Sequence, residues 1–256
     1  MARLKLGDKA LVVAMDHAQT LGVTPGLEDP GAVLDKILDG ADAIMTSYGV
    51  VKHYGDRLIG RIPTFLRLDG GPSVFAAEWL KAEEWKLYHS IEDARRLGVD
   101  GVCLMAFMGA PVETTTFEIV GRVVSECAAD GLPVMVEALP CPCPGIPDPM
   151  DADAMASASR IAFELGADFV KTYYTGSPET FGKVTAGCPA PVLIAGGAKM
   201  DTLEAALEVV HGSVTAGGRG VVFGRNIWQN PDPARVMRAL RAVIHDHALV
   251  ADALAS

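Results

Sequence analysis

Lys171 has the clearest chemical potential of any residue in the chain, because it interrupts the short apolar and aromatic run Ala167–Tyr174. A run of this length and composition is typical of a buried β-strand. Burial disfavours the charged form of an amine and lowers its pKa, so a lysine there is costly unless its reactivity is used. Such an amine attacks carbonyl carbons to form Schiff bases. We therefore predict that Lys171 is a nucleophile; the alternative is an inert lysine with little surface within reach.

Ionisable side chains also lie at the ends of three other predicted strands. Asp16 and His17 follow the first strand, Arg67 lies in the third and Glu137 lies in the fifth. Side chains two residues apart in a strand share a face. The shared faces are Phe65, Arg67 and Asp69; Met135, Glu137 and Leu139; and Phe169, Lys171 and Tyr173. If these faces point into a barrel, Asp16, Arg67, Glu137 and Lys171 converge near one mouth.

Each of these polar residues has a structural alternative to a role in chemistry. Arg67 and Glu137 could form a buried ion pair and do nothing else. Asp16 could cap a helix or a loop through its carboxylate. His17 could be a core histidine with its hydrogen bonds satisfied, which is the commoner role for such a residue. The sequence leaves these alternatives open.

Two glycine-rich segments follow the seventh and eighth predicted strands. Gly196 and Gly197 end one strand, and Gly224 with Arg225 ends the next. Glycines at these two places let backbone amides approach a phosphate group, which the loops after strands 7 and 8 of a barrel commonly bind. Arg225 adds a permanent charge that can pair with phosphate through two hydrogen bonds. A plain turn explains either segment alone, but the two together predict a phosphorylated substrate.

The elements that must position these residues repeat one rhythm from end to end. Eight short apolar runs read as strands: Ala10–Met15, Ala43–Ser47, Pro63–Leu68, Gly101–Ala106, Pro133–Leu139, Asp168–Tyr173, Pro191–Ala195 and Gly220–Phe223. Segments with helical spacing lie between them. Eight strand–helix units predict an α/β fold, a (β/α)8 TIM barrel, formed by residues 1–256 as a single domain. A doubly wound open sheet is the competitor, but no Gly-x-Gly-x-x-Gly follows the first strand.

Capping residues mark several of the helix boundaries between these strands. The expected boundaries are Asp29–Pro30 and Gly40 for one helix, Asp201 with Glu204 for another, Asp232–Pro233 for the last helix, and Gly98 and Gly166 as glycines that follow helix ends.

Composition restricts the classes of partner and compartment. The chain has 256 residues, of which 50% are hydrophobic, and its formal net charge of −10 comes without a basic block, which argues against nucleic-acid binding. No apolar stretch approaches the roughly 20 residues that span a bilayer, and the first residues do not resemble a signal peptide. Five cysteines, an odd number, fit reduced thiols. We expect a cytoplasmic protein with no membrane partner.

Cys141 and Cys143 form the only close cysteine pair in the sequence. A metal site usually needs a second pair or added histidines, and none lies near in sequence. We therefore interpret the pair as part of a proline-stiffened loop. The surrounding segment, Pro140–Pro149, follows a predicted strand, and loops in that position line the active site of a barrel.

Nearly the whole chain resembles a class I aldolase family. That family includes archaeal-type fructose-bisphosphate aldolases, aminodideoxyheptulosonate synthases and autoinducer-2 thiolases, and is related to deoxyribose-phosphate aldolases. The segments that carry the resemblance are Met15-Asp16-His17 with Gly22 and Pro25-Gly26, Val170–Gly176, Gly196-Gly197, and Phe223–Gln229. The resemblance implies Lys171 as the Schiff-base lysine and Asp16 as a carboxylate that contacts the substrate. It also implies a phosphate site at Gly196, Gly197, Gly224 and Arg225, a homo-oligomer, and no metal or cofactor.

One position departs from the family pattern. The aldolases of this family commonly carry a proton-transferring tyrosine before a proline at the end of the fifth strand, where this chain has Leu139 and Pro140. Leucine cannot move a proton, so Glu137 takes that task or the reaction differs from sugar bisphosphate cleavage. Glu137 would need a raised pKa, which Arg67 would oppose. Asp16, His17 and Tyr173 are alternative proton carriers.

We therefore predict a metal-independent class I aldolase that acts on a phosphorylated keto sugar or a related ketose phosphate. Lys171 forms the iminium, and Glu137 or Asp16 takes the hydroxyl proton. Arg67 and His17 are predicted to join the glycines and Arg225 in binding the substrate or its phosphate. The alternatives are a transaldolase or acyl-transfer enzyme on the same scaffold, a phosphosugar isomerase without a covalent intermediate, and a non-catalytic phosphosugar-binding protein.

Overall fold

A computed structural model describes residues 7–76 and 83–255 of the chain. The strands are β1 (Ala10–Ala14), β2 (Ala43–Thr46), β3 (Thr64–Arg67), β4 (Asp69–Gly70), β5 (Lys86–Leu87), β6 (Gly101–Met108), β7 (Val134–Pro140), β8 (Phe169–Thr172), β9 (Val192–Ala195) and β10 (Gly220–Phe223). The helices are α1 (Ala18–Leu21), α2 (Pro30–Ile37), α3 (Tyr48–Leu58), α4 (Ile91–Leu97), α5 (Glu113–Ala128), α6 (Ala152–Glu164), α7 (Pro178–Gly187), α8 (Leu203–Thr215), α9 (Arg225–Trp228), α10 (Pro233–His245) and α11 (Val250–Ala255).

Eight of the strands close into a parallel barrel in the order β1-β2-β3-β6-β7-β8-β9-β10, with β10 paired back to β1. The predicted (β/α)8 TIM barrel is therefore confirmed, and each barrel strand lies where an apolar run was predicted. The strands are almost wholly buried because the barrel interior covers one face and the surrounding helices cover the other. The remaining strands, β4 and β5, pair antiparallel in a small separate hairpin.

The predicted alternation of faces is visible in two apolar clusters. The smaller cluster fills the barrel interior with side chains from alternate strand positions, among them Phe65, Met135 and Phe169. The larger cluster lies between the strands and the helices. Two residues further along three of these strands, the interior positions hold Arg67, Glu137 and Lys171 instead of apolar groups, so the barrel core ends in a charged layer.

The glycines predicted after two helices have the backbone that those positions need. Gly98 follows α4 with φ of 74°, and Gly166 follows α6 with φ of 100°. Asp29 caps α2 by accepting hydrogen bonds from the second and third residues of that helix. Helix α2 ends at Ile37, before the predicted Gly40, and Gly40 instead allows close approach, since a Cβ there would lie 3.2 Å from the Cβ of Met237.

Two helix predictions are wrong in detail. Helix α8 is capped by Thr202, whose hydroxyl accepts a hydrogen bond from Ala205 N at 3.0 Å, so Asp201 lies outside the helix. Asp201 and Thr202 are both good capping residues, and sequence alone does not rank neighbours of this kind. Helix α10 does begin after Asp232, which caps it, but it is not the last helix because α11 follows.

The segment between β7 and α6 is a loop, as predicted, and both of its cysteines are free thiols. Cys143 exchanges two backbone hydrogen bonds with Ile146, which closes a tight turn after the strand. Cys141 is buried, and burial raises the pKa of its thiol to about 11. Over the described ranges 7–76 and 83–255, no helix has both the length and the hydrophobicity that a membrane span requires.

Candidate active site

Every residue predicted for the site lines one cavity at the carboxyl ends of the barrel strands. These residues are Asp16, His17, Arg67, Glu137, Lys171, Gly196, Gly197, Gly224 and Arg225. The barrel brings them together because the carboxyl ends of all eight parallel strands face the same mouth. The convergence that was predicted from alternation is confirmed, while the role of each residue in chemistry stays a prediction.

Lys171 and Glu137 form the centre of the cavity floor. They are partners in the register between β8 and β7, and Lys171 Nζ lies 2.8 Å from Glu137 Oε2. Each side chain is only 8% exposed. A carboxylate at this distance can accept a proton from the lysine ammonium, which leaves the amine free to attack a carbonyl carbon.

Arg67 connects the carboxylates of the floor. Its Nη2 donates to Glu137 Oε2 at 2.6 Å, its Nε donates to Asp16 Oδ2 at 2.9 Å, and its Nη1 contacts Asp69 Oδ1 at 3.4 Å. A guanidinium group has five N–H donors, and three carboxylates surround the guanidinium of Arg67. The geometry favours a role for Arg67 in fixing the acidic residues over its predicted role as a phosphate ligand.

Asp69 is fully buried and joins the floor to two further segments, β6 and the residue before β5. Its Oδ2 accepts hydrogen bonds from Met105 N at 2.6 Å and from Trp85 Nε1 at 2.8 Å. Burial raises the pKa of this carboxyl, although Arg67 opposes the shift. In the described part of the chain, no group of three His, Cys, Asp or Glu side chains is placed to share a metal ion.

Positive charge keeps two of the carboxyl groups ionised. Burial alone would raise the pKa of Asp16, but the nearby charges of Arg67 and Lys171 outweigh it and lower the value to about 2. Burial would also raise the pKa of Glu137, and the same two cations lower it below its ordinary value. The raised pKa that a resting general acid at Glu137 would need is therefore not present, and the ionised side chain is in the form that can accept a proton.

His17 lines the cavity and is not a core histidine. Its side chain is 20% exposed, its ring meets Trp228 edge-on at 5.3 Å, and its Nδ1 lies 3.7 Å from Asp16 Oδ1. Burial lowers the pKa of His17, so the ring is neutral at pH 7. The capping alternative for Asp16 is not what the structure shows, since within residues 7–76 and 83–255 the one hydrogen bond of its carboxylate joins Arg67.

Tyr173 directly follows β8 and also lines the cavity. Burial raises the pKa of its hydroxyl to about 12, and the charge of Glu137 adds to the shift. The phenol is therefore neutral at pH 7 and can donate a hydrogen bond but cannot act as a resting base.

The predicted phosphate site forms the β9–β10 side of the cavity. Gly197 has φ of 61°, which favours glycine, and a Cβ at Gly224 would lie 2.8 Å from the backbone oxygen of Ala14. Glycine is therefore favoured at position 197 by the backbone conformation and at position 224 by the close packing. Arg225 is half-buried, and its Nε has no hydrogen-bond partner among the described residues. The guanidinium of Arg225 and the backbone of these glycines therefore line one end of the cavity.

Asn226 is a residue of the site that sequence reasoning missed. Its Nδ2 donates to Gly196 O at 2.8 Å, and its Oδ1 accepts from Met200 N at 2.8 Å, so one buried amide holds the loop after β9 from both sides. The feature of the sequence that could have identified Asn226 is its position directly after Gly224 and Arg225.

Leu139, which takes the place of the family tyrosine, does not line the cavity. The residue is 1% exposed and packs in the large apolar cluster that also holds Trp85 and Phe107. The end of β7 therefore supplies no proton-transferring group to the cavity, and Glu137 is the last ionisable side chain on that strand.

Comparison with known proteins assigns the chain to a family. The model of the DeoC/LacD family aldolases matches residues 10–230. An uncharacterised aldolase of Saccharolobus solfataricus is 32% identical over 99% of this chain and 96% of its own. The 3-hydroxy-5-phosphonooxypentane-2,4-dione thiolase of Klebsiella pneumoniae is 32% identical over 94% of this chain and 77% of its own.

Solved structures of similar proteins agree with this assignment. An archaeal fructose-1,6-bisphosphate aldolase with its catalytic lysine bound to the carbinolamine intermediate of the substrate is 30% identical. The two chains align with a TM-score of 0.85 over 93% of this chain and 94% of the other. A further structure describes reaction intermediates of the Schiff-base-forming fructose-1,6-bisphosphate aldolase, at 31% identity and the same TM-score. The chain therefore belongs to the DeoC/LacD family and is a class I, Schiff-base-forming aldolase.

Proposed function

We propose that this aldolase makes or cleaves a carbon–carbon bond in a phosphorylated keto sugar or a related ketose phosphate, with Lys171 as the Schiff-base residue. The observation that carries the proposal is the contact of 2.8 Å between Lys171 Nζ and Glu137 Oε2 inside the cavity. A buried amine with a proton acceptor at this distance has what Schiff-base formation needs.

The first step joins the enzyme to the substrate ketone. Glu137 accepts a proton from Lys171, and the free amine attacks the carbonyl carbon to give a carbinolamine. Loss of charge at Nζ removes one of the two cations that keep the pKa of Glu137 low, so the proton is held more firmly there. Glu137 then returns that proton to the carbinolamine hydroxyl, which leaves as water, and the iminium cation forms.

Cleavage uses the iminium as an electron sink. A carboxylate removes the proton from the hydroxyl group β to the iminium carbon, the carbon–carbon bond breaks, and its electron pair moves to the nitrogen as an enamine. Asp16 is placed for this task because Arg67 holds its Oδ2, while Oδ1 accepts no hydrogen bond from the described residues. The aldehyde departs, the enamine carbon takes up a proton, and water hydrolyses the iminium to release the ketone.

The substrate phosphate is proposed to bind at the β9–β10 side of the cavity. Arg225 and the backbone at Gly196, Gly197 and Gly224 offer charge and close approach there. Binding energy from this remote group orients the reacting carbons over Lys171. The thiolase relative and the archaeal aldolases, whose names specify phosphorylated compounds, support the same substrate class.

Acyl transfer is a second candidate, favoured by one observation. Leu139 leaves the cavity without the tyrosine that family aldolases commonly use, and a thiolase is among the relatives at 32% identity. The same lysine and carboxylates could serve a diketone phosphate whose acyl fragment passes to a thiol acceptor. A transaldolase reaction would use the same lysine with another aldehyde acceptor.

The assembly and the compartment are also proposals. Large apolar side chains, Phe75 at 94% and Val23 at 87% exposure, support association of the chain with itself, which light scattering of the purified protein would measure. Five free cysteines support a reducing cytoplasmic location.

A substrate panel tests the proposed function. The purified protein is incubated with phosphorylated ketoses and, separately, with a diketone phosphate plus coenzyme A. The proposal expects cleavage of a ketose phosphate with release of a triose phosphate, and no cleavage of the matching unphosphorylated ketose. Turnover of the diketone with acyl transfer, and none of any ketose phosphate, would replace the aldol reaction by the second candidate.

A further inference from the structure

The side of the cavity opposite the phosphate site has a different chemical character. The described residues that line it beyond the floor are Gln19, Thr20, Leu21, Gly70, Trp85 and Met105. These side chains are polar but uncharged, or apolar. Among the described residues, the cation on this side is Arg67, which is already paired with Asp16, Asp69 and Glu137.

Charge on the floor further separates the two ends of the cavity. Arg67 and Lys171 are surrounded by the carboxyl groups of Asp16, Asp69 and Glu137, whereas Arg225 at the opposite end has no ion-pair partner among the described residues. Among the described residues, a second anionic group on the Gln19 side would meet these carboxyl groups and no free cation. The distribution of charge therefore fits a substrate with one phosphate, at the Arg225 end.

Gln19 provides the polar group of this uncharged wall. Its Nε2 donates to Asp69 O at 2.8 Å, which fixes the orientation of the amide because a backbone oxygen can only accept. Its Oε1 is buried and accepts no hydrogen bond from a described residue. A Cβ at Gly70 would lie 2.8 Å from Gln19 Nε2, so the backbone packs closely behind the amide and keeps it in place.

We propose that the aldehyde half of the substrate is an uncharged, hydroxylated fragment, one of whose hydroxyl groups donates a hydrogen bond to Gln19 Oε1. A hydroxyl is the simplest donor that satisfies an amide oxygen of fixed orientation, and a site built to bind it discriminates strongly against an analogue without it. The inference rests on the proposed function, since it assumes that Lys171 holds the phosphorylated ketone half.

Three aldehydes of equal chain length test the proposal in the direction of bond formation. Dihydroxyacetone phosphate is the donor, and D-glyceraldehyde, propanal and D-glyceraldehyde 3-phosphate are the acceptors. We expect kcat/KM for D-glyceraldehyde to exceed that for the other two by about tenfold or more. In Gln19→Met the ratio of D-glyceraldehyde to propanal falls at least about tenfold, because methionine keeps the volume and removes the acceptor. The intrinsic reactivity of each aldehyde cancels when variant and wild type are compared.

Gln229→Met is the matched control, because Gln229 Nε2 also donates to a backbone oxygen, that of Pro25 at 2.8 Å, but does not line the cavity. In Gln229→Met we expect the ratio of kcat/KM for D-glyceraldehyde to that for propanal to stay within about twofold of the wild-type ratio. An unchanged ratio in Gln19→Met, or a wild-type preference for D-glyceraldehyde 3-phosphate, overturns the inference.

Failure of the inference is distinguishable from failure of the proposed function. Borohydride reduction with dihydroxyacetone phosphate alone reports the adduct on Lys171 without any acceptor. An adduct with an unchanged acceptor ratio removes only the role of Gln19. Absence of the adduct removes the proposed function and this inference with it.

Discussion

Glu137 and Lys171 are register partners on adjacent barrel strands, and their side chains meet at 2.8 Å in the floor of the cavity. The pairing places the proposed base beside the proposed nucleophile without any loop having to move. It also joins Lys171, through Glu137 and Arg67, to Asp16. One short chain of charged groups therefore connects the proposed nucleophile to both proposed proton acceptors.

Replacing Glu137 by glutamine tests the proton-transfer role. The change preserves size but removes the acceptor for the lysine proton, so we expect kcat to fall by about 100-fold or more. Single-turnover kinetics of adduct formation would show slower attack at an unchanged lysine. Glu164→Gln, which removes an exposed ion pair with Arg160 on α6, is the control and changes kcat less than about twofold. Equal turnover in Glu137→Gln and wild type would exclude Glu137 from the mechanism.

Arg225 is expected to bind phosphate. Arg225→Ala removes the unpaired cation, so KM for a phosphorylated ketose rises by about tenfold or more, while kcat/KM for unphosphorylated dihydroxyacetone changes by less than about threefold. Steady-state kinetics on both substrates make the comparison. The control is Arg235→Ala, since Arg235 is exposed and its guanidinium donates, among the described residues, to a backbone oxygen of α11 alone. Equal losses on the two substrates would contradict a phosphate-specific role.

Asn226 is expected to support the phosphate site through the loop after β9. Asn226→Leu leaves Gly196 O and Met200 N without their partner, and we expect a loss of about 1–3 kcal/mol in the free energy of unfolding. KM for the phosphorylated ketose should rise in the same variant, because the loop is no longer held. Urea unfolding and steady-state kinetics measure the two effects. A stable variant with an unchanged KM would show that the amide does not hold the site.

Acid unfolding should depend on Asp16. Its pKa in the folded protein is about 2, below the value of about 3.9 in an unfolded chain. Because the folded pKa is the lower one, Asp16 stabilises the fold fully above about pH 5, and this contribution, about 2–3 kcal/mol, is lost as the pH falls through about 2. Between pH 6 and pH 3 the wild type should lose about 1 kcal/mol more than Asp16→Asn. Urea unfolding at both pH values tests this, and parallel losses in the two proteins would contradict it.

The barrel and its reactive layer could be predicted because they follow from short-range patterns. Eight apolar runs at regular intervals define the strands, and alternation places Arg67, Glu137 and Lys171 on interior faces. Once the strands close, residues at the same end of each strand must meet. Lys171 could be identified because its apolar neighbours predict a buried strand, in which a lysine is unusual.

The contacts that organise the layer could not be predicted, because they join residues far apart in sequence. The carboxylate of Asp69 accepts hydrogen bonds from Trp85, just before β5, and from Met105 on β6. No local sequence pattern indicates that these groups pair. The low pKa of Glu137 likewise depends on two cations that only the folded barrel brings near. The core interpretation of His17 failed for a related reason, since the exposure of a loop residue depends on which loops surround it.

Trapping of the covalent intermediate tests the central claim most directly. The protein is incubated with dihydroxyacetone phosphate, reduced with borohydride, digested and analysed by mass spectrometry. We predict one adduct of the ketone phosphate on the peptide that contains Lys171, and none in Lys171→Met. An adduct that persists in Lys171→Met, or no adduct with any phosphorylated ketone, would contradict Lys171 as the Schiff-base residue.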